Sequence, residues 1–509
     1  MSLERYRSIV PDFSRFLEVA STPEPPSLRV RAGRISHAAL RRRLERSGFL
    51  LEPVPGLEDF LRPAEPPPGP LALTMEHWAG LFYLQQAVMG LPVLALDAQP
   101  GHQVLDLCAA PGGKTTHLAE RLRGKGSVIA SDVKEKRVRI LMGNVKRLGL
   151  TGVMAMTADG AHFPGGALYD RVLVDAPCSG EGTVRSKGGR LPRASAGFRS
   201  SVTELQERLL RTAIRRTRVG GRVVYSTCTF APEENEAVVD RVLRDLPVEV
   251  EEIPVEVPHA PGLRSFEGQR FSPELEKAWR VYPHQPRQLD SGGLFMVRLR
   301  RIEEGAASDP EPDLWEPAPT VYSDPSRKDT PGAGTRAQAS AQDGTDREGV
   351  EEAVDELSRR FSLAPGALEG VRWLRRGRNV WAHHLESWPL GAWPQDGNWR
   401  FLSLGLRGLQ REGRGRHRVT NDLLGLLGDD IGARTIAVDA AELSTLLRGE
   451  SVGSSGMGGG YIALTHEGLV LGRGLVRNGR IHSQIPKERA RELARIMEAR
   501  GKLTSPGGR

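Results

Sequence analysis

A chain of 509 residues with 39% hydrophobic and 26% charged residues is too long for one ordinary core, and two to four globular domains are expected. The formal charge of +8 is mild for this length and suits a polyanionic partner without demanding one. The three cysteines, Cys108, Cys178 and Cys228, make no disulfide framework and no CxxC zinc spacing, and neither an apolar signal core nor a membrane-length apolar run is present, so a cytoplasmic protein with no metal and no membrane contact is expected.

Residues 1–75 are rich in Arg and Pro and read as a small α/β appendage ending in the break Pro66-Pro67-Pro68-Gly69-Pro70. From 76 to 302, short apolar runs alternate with helical stretches. Strands are expected at Gln103–Leu107, Ser127–Ser131, Val153–Thr157, Arg171–Val174 and Arg222–Ser226, with helices at Gly113–Leu122, Lys134–Leu148 and Val202–Arg218. This alternation predicts an α/β domain with a parallel, doubly wound sheet, whose ligands sit beyond the carboxyl ends of the strands at a switch point. Residues 303–348 lack periodicity and read as a disordered linker. Folding resumes over 349–509, where Trp373, Trp381, Trp388, Trp393 and Trp399 cluster, with a hairpin over Tyr461–Leu471 turning near Glu467-Gly468 and a closing helix over Lys487–Arg500.

The run Val104-Leu105-Asp106-Leu107-Cys108-Ala109-Ala110-Pro111-Gly112-Gly113-Lys114-Thr115 joins the first strand to a helix. A phosphate loop would need Gly where Cys108 stands, and GxGxxG is absent. What remains is a small-residue turn over Cys108, Ala109, Ala110, Pro111, Gly112, Gly113 and Lys114. There a cofactor can approach the backbone, and the helix N-terminus can hold a carboxylate such as that of S-adenosylmethionine. Asp132, ending the next strand, is suited to two ribose hydroxyls, and Asp159, after the third, to an adenine amino group. Ordinary capping is the competing explanation for both aspartates.

Two more strand ends carry thiols. The fourth leads into Asp175-Ala176-Pro177-Cys178-Ser179-Gly180, and the fifth into Tyr225-Ser226-Thr227-Cys228-Thr229, followed by Pro232-Glu233-Glu234-Asn235-Glu236. Cys108 is better read as a small buried hydrophobe. Two thiols converging on the ligand side of a sheet are harder to explain by packing. Carbon 5 of cytosine is a poor nucleophile until a thiolate adds to carbon 6, and a carboxylic acid reaching N3, for which Asp175 is placed, favours that addition. A second thiol could then remove or relay the carbon 5 proton. Lys114 is a candidate to ease thiolate formation.

These stretches resemble the Sun-domain RNA cytosine-5 methyltransferases, and Gly80-Leu81-Phe82-Tyr83-Leu84-Gln85 is similar to the family's lead-in. The likeness covers roughly residues 75–300. It implies a Rossmann-like class I methyltransferase sheet, S-adenosylmethionine held by Cys108 to Lys114, Asp132, Asp159 and Asp175, and Cys228 as nucleophile with Cys178 assisting release. The opposite assignment of the cysteines, as in DNA cytosine methyltransferases, is the mechanistic alternative. The C-terminal runs Gly468-Leu469-Val470-Leu471-Gly472-Arg473-Gly474 and Asn478-Gly479-Arg480 resemble the β-rich, PUA-like modules that some bacterial members append.

The implied partner is structured RNA, with ribosomal RNA of the small subunit favoured over transfer RNA, and the implied state is a monomer. Arg29, Arg31 and Arg34, and Arg411, Arg414, Arg416, His417 and Arg418, are candidate RNA contacts or plain solvated charge. The loop from Arg185 to Arg199 departs from the family pattern, with five basic residues and no acidic one, and is open to the same two readings. A catalytically silent RNA-binding or ribosome-assembly factor on this scaffold would have shed a thiol or Asp175, and all three are present. A methyltransferase for exocyclic amines would have no use for the thiol pair.

Overall fold

The computed structural model describes residues 3–163, 168–191, 196–285, 289–303, 316–317, 321–323, 343–384, 387–388, 400–413, 416–454 and 456–504. Its centre is a ten-stranded sheet. Five buried apolar runs form the parallel heart: β1 (Gln103–Asp106), β2 (Ser127–Asp132), β3 (Val153–Thr157), β4 (Tyr169–Asp175) and β5 (Thr217–Thr227), in the order β5-β4-β1-β2-β3. Every pair within this heart is parallel. The order reverses between β1 and β4, which is the switch point where α/β sheets bind ligands.

Helices α1 (Gly113–Arg121) and α2 (Glu135–Leu148) cover one face, where Leu118, Val138, Leu141 and Val145 meet Val104, Val128 and Leu173. Helices α3 (Ala196–Arg215) and α4 (Glu236–Leu243) cover the other, where Leu209, Leu210, Val238 and Val242 meet Leu105, Ile129 and Val172. Neighbouring strand residues therefore enter opposite cores, and both cores are apolar, so the strands read as continuous hydrophobic runs.

The sheet is mixed, which corrects the all-parallel expectation. Beyond β5 run four antiparallel strands, β6 (Val248–Glu251), β7 (Trp279–Val281), β8 (Leu294–Arg301) and the two-residue Ala260–Pro261. Beyond β3 the edge is closed by β9 (Arg400–Leu404), contributed by the C-terminal region. The remainder of that region is β-rich, with two five-stranded sheets, and the expected hairpin is present as Gly460–His466 paired with Leu469–Arg477. Its turn has φ of 48° at Glu467 and 75° at Gly468, the left-handed pair that two-residue hairpins require. Trp373 and Trp381 are buried there, whereas the side chain of Trp388 and all of Trp393 and Trp399 lie outside the described residues. Of the expected linker, 304–315, 318–320 and 324–342 lie outside them too, and 343–348 begin the helix Asp343–Phe361. No helix among the described residues is long and apolar enough to cross a membrane.

The N-terminal appendage is a four-stranded sheet whose last strand is Phe82–Leu84, so it reaches past residue 75. It shares a core with the C-terminal region, where Leu28, Leu40 and Leu44 pack with Leu443, Ile462 and Leu493. The N-terminal arginines are consumed in this packing. Arg29 is 1% exposed and donates to the Gly113 carbonyl at 2.9 Å, Thr116 Oγ1 at 2.9 Å and Glu120 Oε2 at 3.1 Å. Arg31 donates to the Leu148 carbonyl and Arg34 to the Leu426 carbonyl. They fasten α1 and the module junctions, because a buried guanidinium must be paired, and Arg29 is closed to an RNA partner.

Candidate active site

The cofactor loop leaves β1 at Asp106 and is hooked to both neighbouring strands: Leu107 N–H donates to the Leu173 carbonyl at 3.1 Å and Ala109 N–H to the Ser131 carbonyl at 2.9 Å. Gly112 closes the turn with φ of 108°, a conformation that favours glycine, and a Cβ there would stand 3.3 Å from Leu141 Cγ. Ala109 and Ala110 are buried and Cys108 is half-buried. Burial, followed by the charges of Asp106, Asp175 and Asp132, pushes the Cys108 thiol well up, as suits a packing residue. Asp106 accepts Thr115 Oγ1–H at 2.7 Å, while its second oxygen is buried without a partner, and burial raises its carboxyl to about 7.

Asp132 is 3% exposed at the end of β2 and accepts from the Lys134 N–H at 3.0 Å and Arg137 Nη1 at 2.8 Å. Asp159 caps the short turn Gly160–His162, accepting Ala161 N–H at 3.0 Å with His162 Nδ1 also at 3.0 Å. Desolvation opposes its ionisation, but the His162 and Ala161 hydrogen bonds win and hold its carboxyl below the usual range. Its carboxylate thus does the ordinary capping work weighed as the competing explanation.

At the carboxyl ends of β4 and β5 the two thiols meet: Cys178 Sγ and Cys228 Sγ are 3.3 Å apart and unbonded. They share one hydrogen bond and titrate as a pair. Cys228 is pushed down chiefly by its hydrogen bond with Cys178, with the charge of Lys114 helping against burial and Asp175. Cys178 is pushed well up, first by its bond to Cys228 and then by burial. Lys114 Nζ lies 2.7 Å from Asp175 Oδ2, and Ser226 Oγ donates to Asp175 Oδ1 at 3.0 Å. Asp175 therefore accepts twice.

The thiol loops are tightly crossed. Gly182 N–H donates to the Cys228 carbonyl at 2.8 Å, and Ser179 Oγ lies 2.7 Å from Thr229 Oγ1. Arg185 is 3% exposed and bonded to the Ser291 carbonyl at 3.0 Å and Asp290 Oδ1 at 2.8 Å, so it is structural and not part of an RNA-gripping loop. Lys187 and Arg190 are exposed, and Arg193 lies outside the described residues. Sequence reasoning passed over Asp106, Ser226 and Arg137, although Asp106 and Ser226 stand inside the strand-end runs that signalled the site. It also passed over Tyr6, whose hydroxyl donates to Glu181 Oε2 at 2.6 Å from 175 residues away, for which no local signal exists.

The strand order and the position of the site at the strand ends define a Rossmann-like fold of the methyltransferase type. Residues 93–300 match the family model for 16S rRNA methyltransferase RsmB/F. Among its relatives, the ribosomal RNA small subunit methyltransferase F of Erwinia tasmaniensis is 34% identical over 59% of this chain and 63% of that protein. A mouse 28S rRNA (cytosine-C(5))-methyltransferase is 32% identical over 62% of this chain and 39% of its own length. The chain thus spans about three-fifths of the length of the bacterial relative. Among solved structures, a methyltransferase homolog from Pyrococcus horikoshii superposes with a TM-score of 0.52 at 32% identity, covering 59% of this chain and 94% of that one.

Proposed function

We propose that the protein methylates carbon 5 of cytosine in RNA, with ribosomal RNA of the small subunit favoured, using S-adenosylmethionine. The observation that carries this reading is the thiol pair, 3.3 Å apart beside the Lys114–Asp175 ion pair. The cofactor fits the residues present: a glycine turn opening a nine-residue helix, an orphaned buried oxygen on Asp106 and a buried carboxylate at Asp132. Residues 108–114, Asp132 and Asp175 would hold it, with Asp159 at the rim. When bound it supplies an electrophilic methyl group on a sulfonium.

Cys228, held low by its neighbours, adds as thiolate to carbon 6 of the base, and electron density moves to carbon 5, which then takes the methyl group. Asp175, steadied by Lys114 and Ser226, accepts a hydrogen bond from the base and orients it. Loss of the carbon 5 proton re-forms the 5,6 double bond and expels the Cys228 thiolate, with Cys178 as the acceptor or relay of that proton. RNA as the partner is supported by a cleft of about 700 Å³ in the C-terminal region, lined by Arg375, Arg378, Arg411 and Arg418 with Glu412 as its one acid. Glu412 pairs with Arg418 at 2.8 Å.

Bisulfite sequencing of total RNA from cells with and without the gene identifies the target. On that RNA, Cys178→Ala traps a covalent protein–RNA adduct and Cys228→Ala forms none. Methyl transfer by Cys228→Ala would refute the assignment.

A further inference from the structure

Glu234 and Asn235 are consecutive residues in the turn between β5 and α4, and both are 0% exposed. A buried carboxylate and a buried amide are costly unless they hold other polar groups. The turn itself is pinned, since Tyr225 OH donates to the Glu234 carbonyl at 2.6 Å. From it the two side chains serve different loops. Glu234 Oε2 accepts Ser179 N–H at 2.9 Å and Gln206 Nε2–H at 3.1 Å, and Gln206 Nε2 also donates to the Pro177 carbonyl at 2.8 Å. Pro177 and Ser179 are the residues on either side of Cys178. Asn235 Oδ1 accepts Thr227 Oγ1–H at 2.6 Å, and its Nδ2 donates to the Thr229 carbonyl at 3.1 Å. Thr227 and Thr229 are the residues on either side of Cys228.

We propose that Glu234 and Asn235 are positioning residues with separate duties: Glu234, together with Gln206, sets the sulfur of Cys178, and Asn235 sets the sulfur of Cys228. The proposal rests on the reading that Cys228 attacks and Cys178 serves release. One rigid turn then fixes both thiols, and each half of the reaction has its own support. Removing Glu234 spares attack and damages release, whereas removing Asn235 damages attack.

The test uses the full chain, S-adenosylmethionine and RNA from cells lacking the gene. It reads methyl incorporation and denaturant-stable protein–RNA adduct over time, with Cys178→Ala as control. Glu234→Ala and Gln206→Ala are expected to stop near one methyl group per enzyme, with adduct accumulating and release slowed about 10²-fold, the order that a misplacement of about 1 Å costs. Glu234→Gln keeps an oxygen for Ser179 N–H and for Gln206, and releases like the parent. Asn235→Ala is expected to slow adduct formation by a similar factor and to accumulate none. Asn235→Asp does not rescue it, because a carboxylate would face the Thr229 carbonyl. Equal loss of both steps in Glu234→Ala and Asn235→Ala would show a merely structural role and overturn the proposal. Should Glu234→Ala fail to fold, the surface of the clamp is still tested by Gln206→Ala, and fast release there overturns it. Adduct in Cys178→Ala but in neither Glu234→Ala nor Gln206→Ala sinks this inference alone, whereas no adduct in Cys178→Ala sinks the reading beneath it.

Discussion

Gly182 lies where the Cys178 loop crosses the segment that carries Cys228, and the crossing leaves no space for a methyl group. A Cβ on it would lie 2.5 Å from the Gly293 carbonyl oxygen, 2.9 Å from the Gly293 carbonyl carbon and 3.0 Å from the Cys228 carbonyl oxygen. All three are backbone atoms, and two of the strands of chain are already tied there, by Gly182 N–H to the Cys228 carbonyl at 2.8 Å and Gly293 N–H to the Gly182 carbonyl at 2.9 Å. Gly182→Ala must therefore push one chain aside by most of an ångström. Overpacking of this kind costs about 1–3 kcal/mol, which lowers the melting temperature by about 2–4 °C for each kcal/mol in a domain of this size. Most of that overlap falls on the Gly293 segment, while the Cys228 carbonyl at 3.0 Å must give by a few tenths of an ångström; because a misplacement of about 1 Å costs roughly 10²-fold in rate, a shift of this smaller size in the proposed nucleophile's segment costs roughly 10-fold. The expected outcome is a modest fall in melting temperature, near-normal cofactor affinity by calorimetry, and a single-turnover methylation rate down roughly 10-fold. A Gly182→Ala protein that melts and methylates like the parent would refute the claim that this crossing sets the Cys228 position.

Three further outcomes follow from the same geometry. Treatment with a diazene oxidant, which takes up two hydrogens as a pair of thiols becomes a disulfide, should lower the titratable thiols from the three present to one and abolish activity until a dithiol is added, because only a closure from 3.3 Å to a bond of about 2.05 Å is needed; retention of all three thiols would contradict the pairing. Lys114→Met removes a charge that holds the Cys228 thiol down and leaves Asp175, which pushes it up, unpaired; the ascending limb of the rate against pH should move to higher pH and the rate at neutral pH should fall, as read from single-turnover profiles. Arg280 and Glu236 form an ion pair 2% and 0% exposed, so Arg280→Met should destabilise the fold by about 3–5 kcal/mol in denaturant melts, whereas Arg280→Met with Glu236→Met should recover much of that loss.

The parts of this structure that sequence made legible are those with local causes. Val153–Thr157 is found where its apolar run predicted, and Glu135–Leu148 starts one residue later than expected. The thiols were legible because each follows a buried strand, Cys178 by three residues and Cys228 by one, and strands aligned in parallel deliver their ends to one side. Strand β5 was read as beginning at Arg222, but it starts at Thr217. Around Gly220-Gly221 the pairing with β4 shifts register and then continues. Strand β9 pairs with a strand some 245 residues earlier, and nothing local to Arg400–Leu404 marks that choice. Arg29, Arg31 and Arg34 show the same limit: charge is visible in a sequence, but the carbonyls and carboxylate that bury these guanidinium groups come from residues far along the chain.

In the mechanism proposed above, in which Cys228 attacks and Cys178 serves release, the proton between the two sulfurs orders the reaction. In the free protein Cys228 is the thiol held down and Cys178 the one held up, and each shift has the other sulfur as its first cause. The attacking thiolate is thus paired with a neighbour that keeps its proton, and the two do not compete for the base. Addition of Cys228 to carbon 6 turns its sulfur into a thioether, which carries no charge and accepts hydrogen bonds weakly. The chief influence that raised Cys178 disappears at that moment, and its proton becomes easier to lose just when a base is needed for the proton at carbon 5. A Cys178→Ala protein lacks that base but keeps the nucleophile, so it should stall after methyl transfer and not before. A stall before transfer would mean that Cys178 is needed to stabilise the Cys228 thiolate more than to release the product.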